Sequence, residues 1–262
     1  MSGAPPNRLK AKLAAGERVF GTWSAISSPV AANVLASTGV DFVIVDLEHG
    51  PMGLETVETM LYGIESAGAT PVVRVGDSAE AAILRVLEIG TRALMCSHVA
   101  TPEEAEQVVR ACRYPPDGTR GLSPFTRIHG YSEEDLADKL RDANEQMLVG
   151  VLVEGQEGIA NLPQIAATPG LDMVYLGVYD LSMVAGVPGQ LDHPDVLKIV
   201  RESVEKIEAA GLVAGSVARD REYIQLLWDA GFRFISYRND ATLLRDALAE
   251  AVGWYGEVRG DG

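Results

Sequence analysis

Phe42-Val43-Ile44-Val45-Asp46-Leu47-Glu48-His49-Gly50-Pro51 is the stretch whose reading decides the fold. Four apolar residues, three of them β-branched, run directly into two carboxylates and a histidine, and Gly50-Pro51 ends the run. An uninterrupted apolar run is how a strand buried on both faces of a parallel sheet reads. Charges at its C-terminal end mark where the chain leaves the core, and in an α/β barrel that end carries the chemistry. A capped strand whose acids merely lead into the next helix has the same local pattern, so the rest of the chain decides.

Outward from this stretch the same unit recurs. Strand-like runs at 19–23, 42–46, 70–75, 92–99, 147–154, 173–177, 212–217 and 232–237 alternate with helical patterns at 28–37, 54–67, 78–89, 102–113, 158–166, 194–210, 220–230 and 241–252. Thr101 followed by Pro102 and two acids predicts a capped helix start. Gly39, Gly68, Gly90, Gly170, Gly211 and Gly231 stand at helix-to-strand joints, the place of a C′ glycine. Eight repeats without a break in composition predict one (β/α)8 TIM barrel spanning 1–262. A doubly wound sheet would want a Gly-rich turn after the first strand, and none is there. The largest interruption, about 114–146, opens with the turn signal Pro115-Pro116-Asp117-Gly118 and holds a helix around 133–143. The tail, 256–262, is expected to fray.

Composition narrows the function classes. Of 262 residues, 47% are hydrophobic, enough for a large core, yet no apolar run approaches the roughly 20 residues of a membrane span. No apolar segment of a signal peptide is visible in residues 1–12. Cys96 and Cys112 have no metal-binding spacing and read as reduced core thiols, so a cytoplasmic location is expected. The net charge of −15 argues against nucleic-acid and anionic-membrane partners. An anionic substrate then needs a local positive feature, a metal or a placed arginine.

In a barrel, the side chains just past each strand share one mouth: Trp23, Asp46, Glu48, His49, Arg74, His98, Glu154, Asp180, Ser216 and Arg238. Glu154 ends the fifth strand and Asp180 follows the sixth, so adjacent strands bring both within reach of one ion. Two carboxylates completed by water and a chelating substrate suit Mg2+, Mn2+ or Co2+. Asp180 as a helix N-cap beside a solvated Glu154 is the plain alternative. Lys10 and Lys12 lie in the N-terminal arm, and Lys139, Lys198 and Lys206 fall in helical patterns, so no lysine is placed for a Schiff base. Carbanion chemistry then needs another electron sink, which a divalent metal provides as a Lewis acid. Arg74 can hold a carboxylate or a developing enolate oxygen, or else pair with Asp46 or Glu48. His49, three residues beyond Asp46, can act as a general base oriented by it.

These residues resemble the HpcH/HpaI family of metal-dependent class II pyruvate aldolases. The likeness runs from about Gly21 to Leu248 and is carried by Gly21-Thr22-Trp23, Asp46-Leu47-Glu48-His49-Gly50-Pro51, Pro71-Val72-Val73-Arg74, Tyr114-Pro115-Pro116 with Gly118 and Arg120-Gly121, Glu154, and Gly177 with Asp180-Leu181-Ser182. The resemblance implies a TIM barrel, commonly hexameric as a trimer of dimers with the last helix exchanged between subunits. It implies a divalent metal on Glu154 and Asp180, chelated by pyruvate, with Arg74 at the keto oxygen. His49 paired with Asp46 would move protons, Glu48 would order the water, and Trp23, Gly177, Val178, Tyr179 and Ser216 would line the substrate. The reaction implied is reversible cleavage of a 4-hydroxy-2-oxo acid to pyruvate and an aldehyde.

The chain departs from the family pattern where Val178 replaces a proline, where Ser97-His98 stands for a Pro-containing strand end, where Gly155 follows Glu154, and at Tyr237-Arg238. His98 and Arg238 are therefore candidates for an altered acceptor pocket, and Arg120 is a further one. A related metal-enolate enzyme, such as an oxaloacetate decarboxylase or a biosynthetic C–C bond-forming enzyme, is the alternative activity. A 2-oxo acid binding scaffold without turnover is the non-enzymatic one.

Overall fold

The computed structural model describes residues 6–260 and is a closed barrel of eight parallel strands in sequence order. In chain order the elements are α1 (Arg8–Ala14), β1 (Val19–Ser24), α2 (Pro29–Ala36), β2 (Phe42–Asp46), α3 (Leu54–Ser66), β3 (Thr70–Val75), α4 (Glu80–Glu88), β4 (Ala93–Cys96) and α5 (Pro102–Cys112). A single 3-10 turn (Arg127–His129) precedes α6 (Leu136–Gln146), β5 (Leu148–Val153), α7 (Gln156–Ala160), α8 (Leu162–Ala166), β6 (Met173–Leu176) and α9 (Val178–Val184). The chain closes with α10 (Pro194–Ala209), β7 (Val213–Ala218), α11 (Arg221–Asp229), β8 (Phe234–Asn239) and α12 (Asp240–Arg259). The single-barrel expectation is met.

The apolar runs are continuous because the strands are buried on both faces. Val43, Val45, Val73, Leu94, Val149, Val151, Val174 and Ile235 pack outward against the helices. The alternate residues Phe42, Ile44, Val72, Met95, Leu152, Met173, Tyr175 and Phe234 fill the barrel. Room for the large inner side chains comes from glycine. A Cβ on Gly21 would lie 2.4 Å from both the Phe42 ring and the Phe42 carbonyl oxygen. The Phe42 ring in turn stacks on Phe234 with centroids 3.8 Å apart. Gly21→Ala is therefore expected to cost about 3 kcal/mol of stability, because backbone and packed ring must both give way. A urea-melt midpoint indistinguishable from the parent's would contradict this.

Several boundaries differ from expectation for identifiable reasons. The N-terminal arm is a helix: Asn7 caps α1, and Leu9 and Leu13 plug the floor of the barrel. β4 stops at Cys96, short of the expected residue 99, because His98 takes a left-handed backbone, φ 59°. The helix after β5 splits into α7 and α8 at Asn161, with Pro163 in the first turn of the second piece. The tail continues as helix to Arg259, ending at Gly260 with φ 81°, so most of the expected frayed segment is ordered helix. Residues 261–262 lie outside the described residues. The glycines placed at joints all have positive φ, from 78° at Gly211 to 102° at Gly231. Thr101 caps α5 reciprocally with Glu104, as its sequence predicts.

Candidate active site

The strand ends converge on a cavity of about 690 Å³ at the C-terminal mouth, lined among others by Trp23, Asp46, His49, Arg74, Glu154 and Asp180. Its floor is a polar aromatic cluster. The Trp23 indole N–H donates to Ser236 Oγ at 2.8 Å, and the Tyr175 hydroxyl meets the same oxygen at 2.7 Å. Burial keeps the Tyr175 phenol protonated by pushing its pKa up.

Register builds the first wall. Asp46 on β2 pairs with Arg74 on β3, so both side chains point inward at one level. The guanidinium grips the carboxylate with two bonds, Nε to Oδ1 at 2.8 Å and Nη2 to Oδ2 at 2.5 Å. Its third nitrogen lies 3.3 Å from Glu48 Oε2, and its face covers the Trp23 ring at 4.5 Å. Asp46 Oδ1 also accepts the backbone N–H groups of Glu48 and His49, which folds the loop after β2 over the mouth. Asp46 thus orients Arg74 and the loop backbone. The expected Asp46–His49 side-chain pairing is not formed: the His49 ring is exposed at the rim, with Nε2 3.8 Å from Glu48 Oε1. Arg74 makes both ion pairs that its sequence position allowed, with Asp46 and with Glu48.

The second wall holds the paired carboxylates. Glu154 follows β5 and Asp180 lies in the first turn of α9, where it is not the N-cap. Gly177 permits the approach, since a Cβ there would sit 2.8 Å from Glu154 Oε2. Burial, then the charge of Asp180, push Glu154 up to about 7, while His98 opposes the shift. Like-charged neighbours half out of water are relieved by a proton on one of them or by a cation. Glu154 Oε1 and Glu48 Oε2 are buried, with His98 Nδ1 at 2.6 Å from the first and Arg74 Nη1 at 3.3 Å from the second. The donor set of two hard carboxylates, Glu154 and Asp180, fits a hard divalent cation. Among the described residues no three His, Cys, Asp or Glu side chains already enclose one such point.

A raised carboxylate pKa fixes the sign of a pH effect. The fold binds the Glu154 proton more tightly than the unfolded chain does, so stability is greatest below about 4.5 for this group and falls as pH rises through about 7. Thermal unfolding in chelator should show this decline, and Glu154→Gln should flatten it. A melting temperature that rises over that window and is unaffected by the substitution would contradict it.

Val178 and Tyr179 line the cavity beside Gly177. Arg238 lines it through a bulge: Thr22 pairs with Tyr237 and Trp23 with Asn239, leaving Arg238 as the extra residue, at φ 44°. Its Nε donates to the Arg219 carbonyl at 2.6 Å, and it pairs with Asp246. His98 sits over the mouth between Glu48 and Glu154. Two expectations fail. Ser216 faces the helix layer and donates to the Leu176 carbonyl at 2.9 Å, and its neighbour Val217 lines the cavity instead. Arg120 is buried away from the mouth, over the Tyr114 ring and 2.9 Å from Glu88 at the far end of α4. Tyr175, Arg219, Asn239, Thr242 and Asp246 line the cavity without having been expected. Strand parity two residues before Gly177 points to Tyr175, whereas Asp246 gives no signal inside a helical pattern.

Lysines stay away from the mouth. Lys10 donates to the Met147 carbonyl and Lys12 pairs with Asp41, both at the opposite end of the barrel.

Residues 19–247 match the HpcH/HpaI aldolase/citrate lyase family. The chain is 34% identical over 251 residues to a hydroxypyruvate/pyruvate aldolase of Sagittula stellata, covering 95% of this chain and 98% of that protein. It is 34% identical over 242 residues to a 5-keto-4-deoxy-D-glucarate aldolase of Shigella boydii, covering 92% and 93%. The crystal structure of a family member from Burkholderia cenocepacia superposes with a TM-score of 0.90 at 34% identity, over 97% of this chain and 99% of that one. Matched in sequence and in shape along nearly its whole length, the chain belongs to the HpcH/HpaI aldolase/citrate lyase family and is an aldolase.

Proposed function

We propose that the cavity binds a 2-oxo acid of the pyruvate type and catalyses reversible aldol cleavage of a 4-hydroxy-2-oxo acid to that acid and an aldehyde. The observation that carries this is the Glu154–Asp180 carboxylate pair facing the Arg74–Asp46 pair across one cavity. Glu154 and Asp180 would hold a divalent cation, which supplies Lewis-acid polarisation of the 2-oxo group when bound. Arg74, locked by Asp46 and Trp23, presents fixed positive charge where the keto oxygen becomes an enolate oxygen. In cleavage the 4-hydroxyl loses its proton, the C3–C4 bond breaks, and its electron pair moves towards the C2 oxygen. His49 lines the cavity as the proton carrier, and the carboxylate nearest its ring is Glu48. Returning a proton to C3 completes the 2-oxo acid. Trp23, Gly177, Val178 and Tyr179 shape the substrate side, and Arg238 the acceptor side.

The test is exchange of the pyruvate methyl protons in D2O. It should require Mg2+, Mn2+ or Co2+ and should survive borohydride treatment in the presence of pyruvate. Turnover that persists in excess chelator would sink the reading.

We also propose that a second copy of the chain covers α12. Only Asp240 of its twenty residues is fully buried, while Leu244, Leu248, Val252 and Tyr255 line one exposed face. Light scattering should find a multiple of the 28.0 kDa chain, up to a hexamer. Leu248→Glu should shift it towards monomer, and a parent already monomeric would refute the contact. The free, buried Cys96 and Cys112 support a cytoplasmic location. No described helix is long and apolar enough to cross a membrane.

A further inference from the structure

We propose that His98 supplies a nitrogen ligand, through Nδ1, to the divalent cation on Glu154 and Asp180; this rests on the reading of that pair as a cation site. His98 Nε2 makes a 2.6 Å hydrogen bond with Glu48 Oε1. Glu48 is itself held, since its other oxygen lies 3.3 Å from Arg74 Nη1. The opposite ring nitrogen, Nδ1, is 2.6 Å from Glu154 Oε1, so ring nitrogen and carboxylate oxygen converge on one place. A cation seated there would take both as ligands in place of the direct contact between them. Donor atoms about 2.1 Å from one ion and at right angles to each other lie about 3 Å apart.

The arrangement has the chemistry of a ligating histidine. The Glu48 carboxylate holds Nε2 and steadies the ring, and Nδ1 faces the Glu154 oxygen that would share the ion. The backbone contributes too. A left-handed φ of 59° at His98 ends β4 early and turns the ring across the mouth towards β5. The side chain is 60% exposed, so packing does not prevent the small turn of the ring that seating an ion requires. His49, the other histidine at the mouth, has no comparable contact with Glu154.

A nitrogen ligand changes which ion the site prefers. Two carboxylates and water suit Mg2+, and an added imidazole favours Co2+ and Ni2+. The experiment is calorimetric titration of the full chain, freed of metal by chelator and dialysis, with Mg2+, Co2+ and Ni2+ separately. His98→Asn keeps a residue that tolerates the left-handed backbone, and His98→Gly removes the strain altogether, so both should fold; circular dichroism checks this. The parent should bind one Co2+ or Ni2+ per chain more tightly than Mg2+. Both variants should lose about 10- to 100-fold in Co2+ and Ni2+ affinity while Mg2+ affinity changes less than about threefold. The visible absorption of bound Co2+ should change with the lost nitrogen. Equal losses for all three ions, or none, overturn the assignment of His98 while leaving the carboxylate site standing. A parent that binds none of the three overturns the cation site itself.

Discussion

Arg74→Lys should lower kcat for aldol cleavage by about 10²- to 10³-fold, the cost of removing one placed donor to a developing oxyanion. Lysine keeps the charge but not the shape. The parent guanidinium makes two bonds to Asp46, approaches Glu48 with its third nitrogen, and lies flat on Trp23. An ammonium offers one point of contact and no planar face. Both partners of the Arg74–Asp46 pair are almost fully buried, so removing the arginine outright, as in Arg74→Ala, should cost about 3–5 kcal/mol of stability by stranding a carboxylate. Lysine limits that loss and makes the rate readable. Divalent-ion affinity should stay near the parent's, because Glu154 and Asp180 are untouched. A lysine variant within about threefold of the parent rate would show that Arg74 only braces the loop after β2.

Glu154→Gln should remove nearly all activity while making the chain more stable at and above neutral pH. If Glu154 holds the proposed cation, losing it would forfeit several kcal/mol of charge stabilisation, and each 1.36 kcal/mol is tenfold in rate, so a fall of at least about 10³ is expected. The stability change has the opposite sign. Burial and Asp180 push Glu154 up to about 7, so its ionised form is unfavourable in the fold, and a neutral amide relieves that. Stability and function are opposed at one side chain, as is common where a site is built for a ligand. Calorimetric ion binding, pyruvate proton exchange and thermal unfolding together test the prediction. A glutamine variant that is less stable above neutral pH, or still active, would break the link between the strained pair and the chemistry.

Much of this was readable from the chain because two physical constraints write themselves into sequence. Burial on both faces forces unbroken apolar runs, as in Phe42–Asp46, and the charge that ends each run marks the mouth. Asp46, Arg74 and Glu154 stand at the mouth by this logic, and Asp180 lies a few residues past the sixth run. What escaped depends on details finer than a run. Ser216 and Val217 are adjacent, and strand parity alone decides which faces the cavity. Proximity in sequence pairs Asp46 with His49, but in-register pairing of β2 with β3 gives Asp46 to Arg74. Arg120 lies in the segment after α5, where no periodicity says which way a side chain points. The bulge that carries Arg238 into the wall is one inserted residue, invisible until the register with β1 is known.

The two thiols have a practical corollary. Cys96 and Cys112 are buried, and desolvation pushes both upward, Cys112 to about 12, far from a reactive thiolate at neutral pH. The native chain is thus nearly silent to maleimides and other alkylating labels. A single cysteine introduced on the outward side of the last helix would be the one fast-reacting position. Spin labels or fluorophores could then be attached there to measure spacings between neighbouring copies, without first stripping the barrel of its own sulfur.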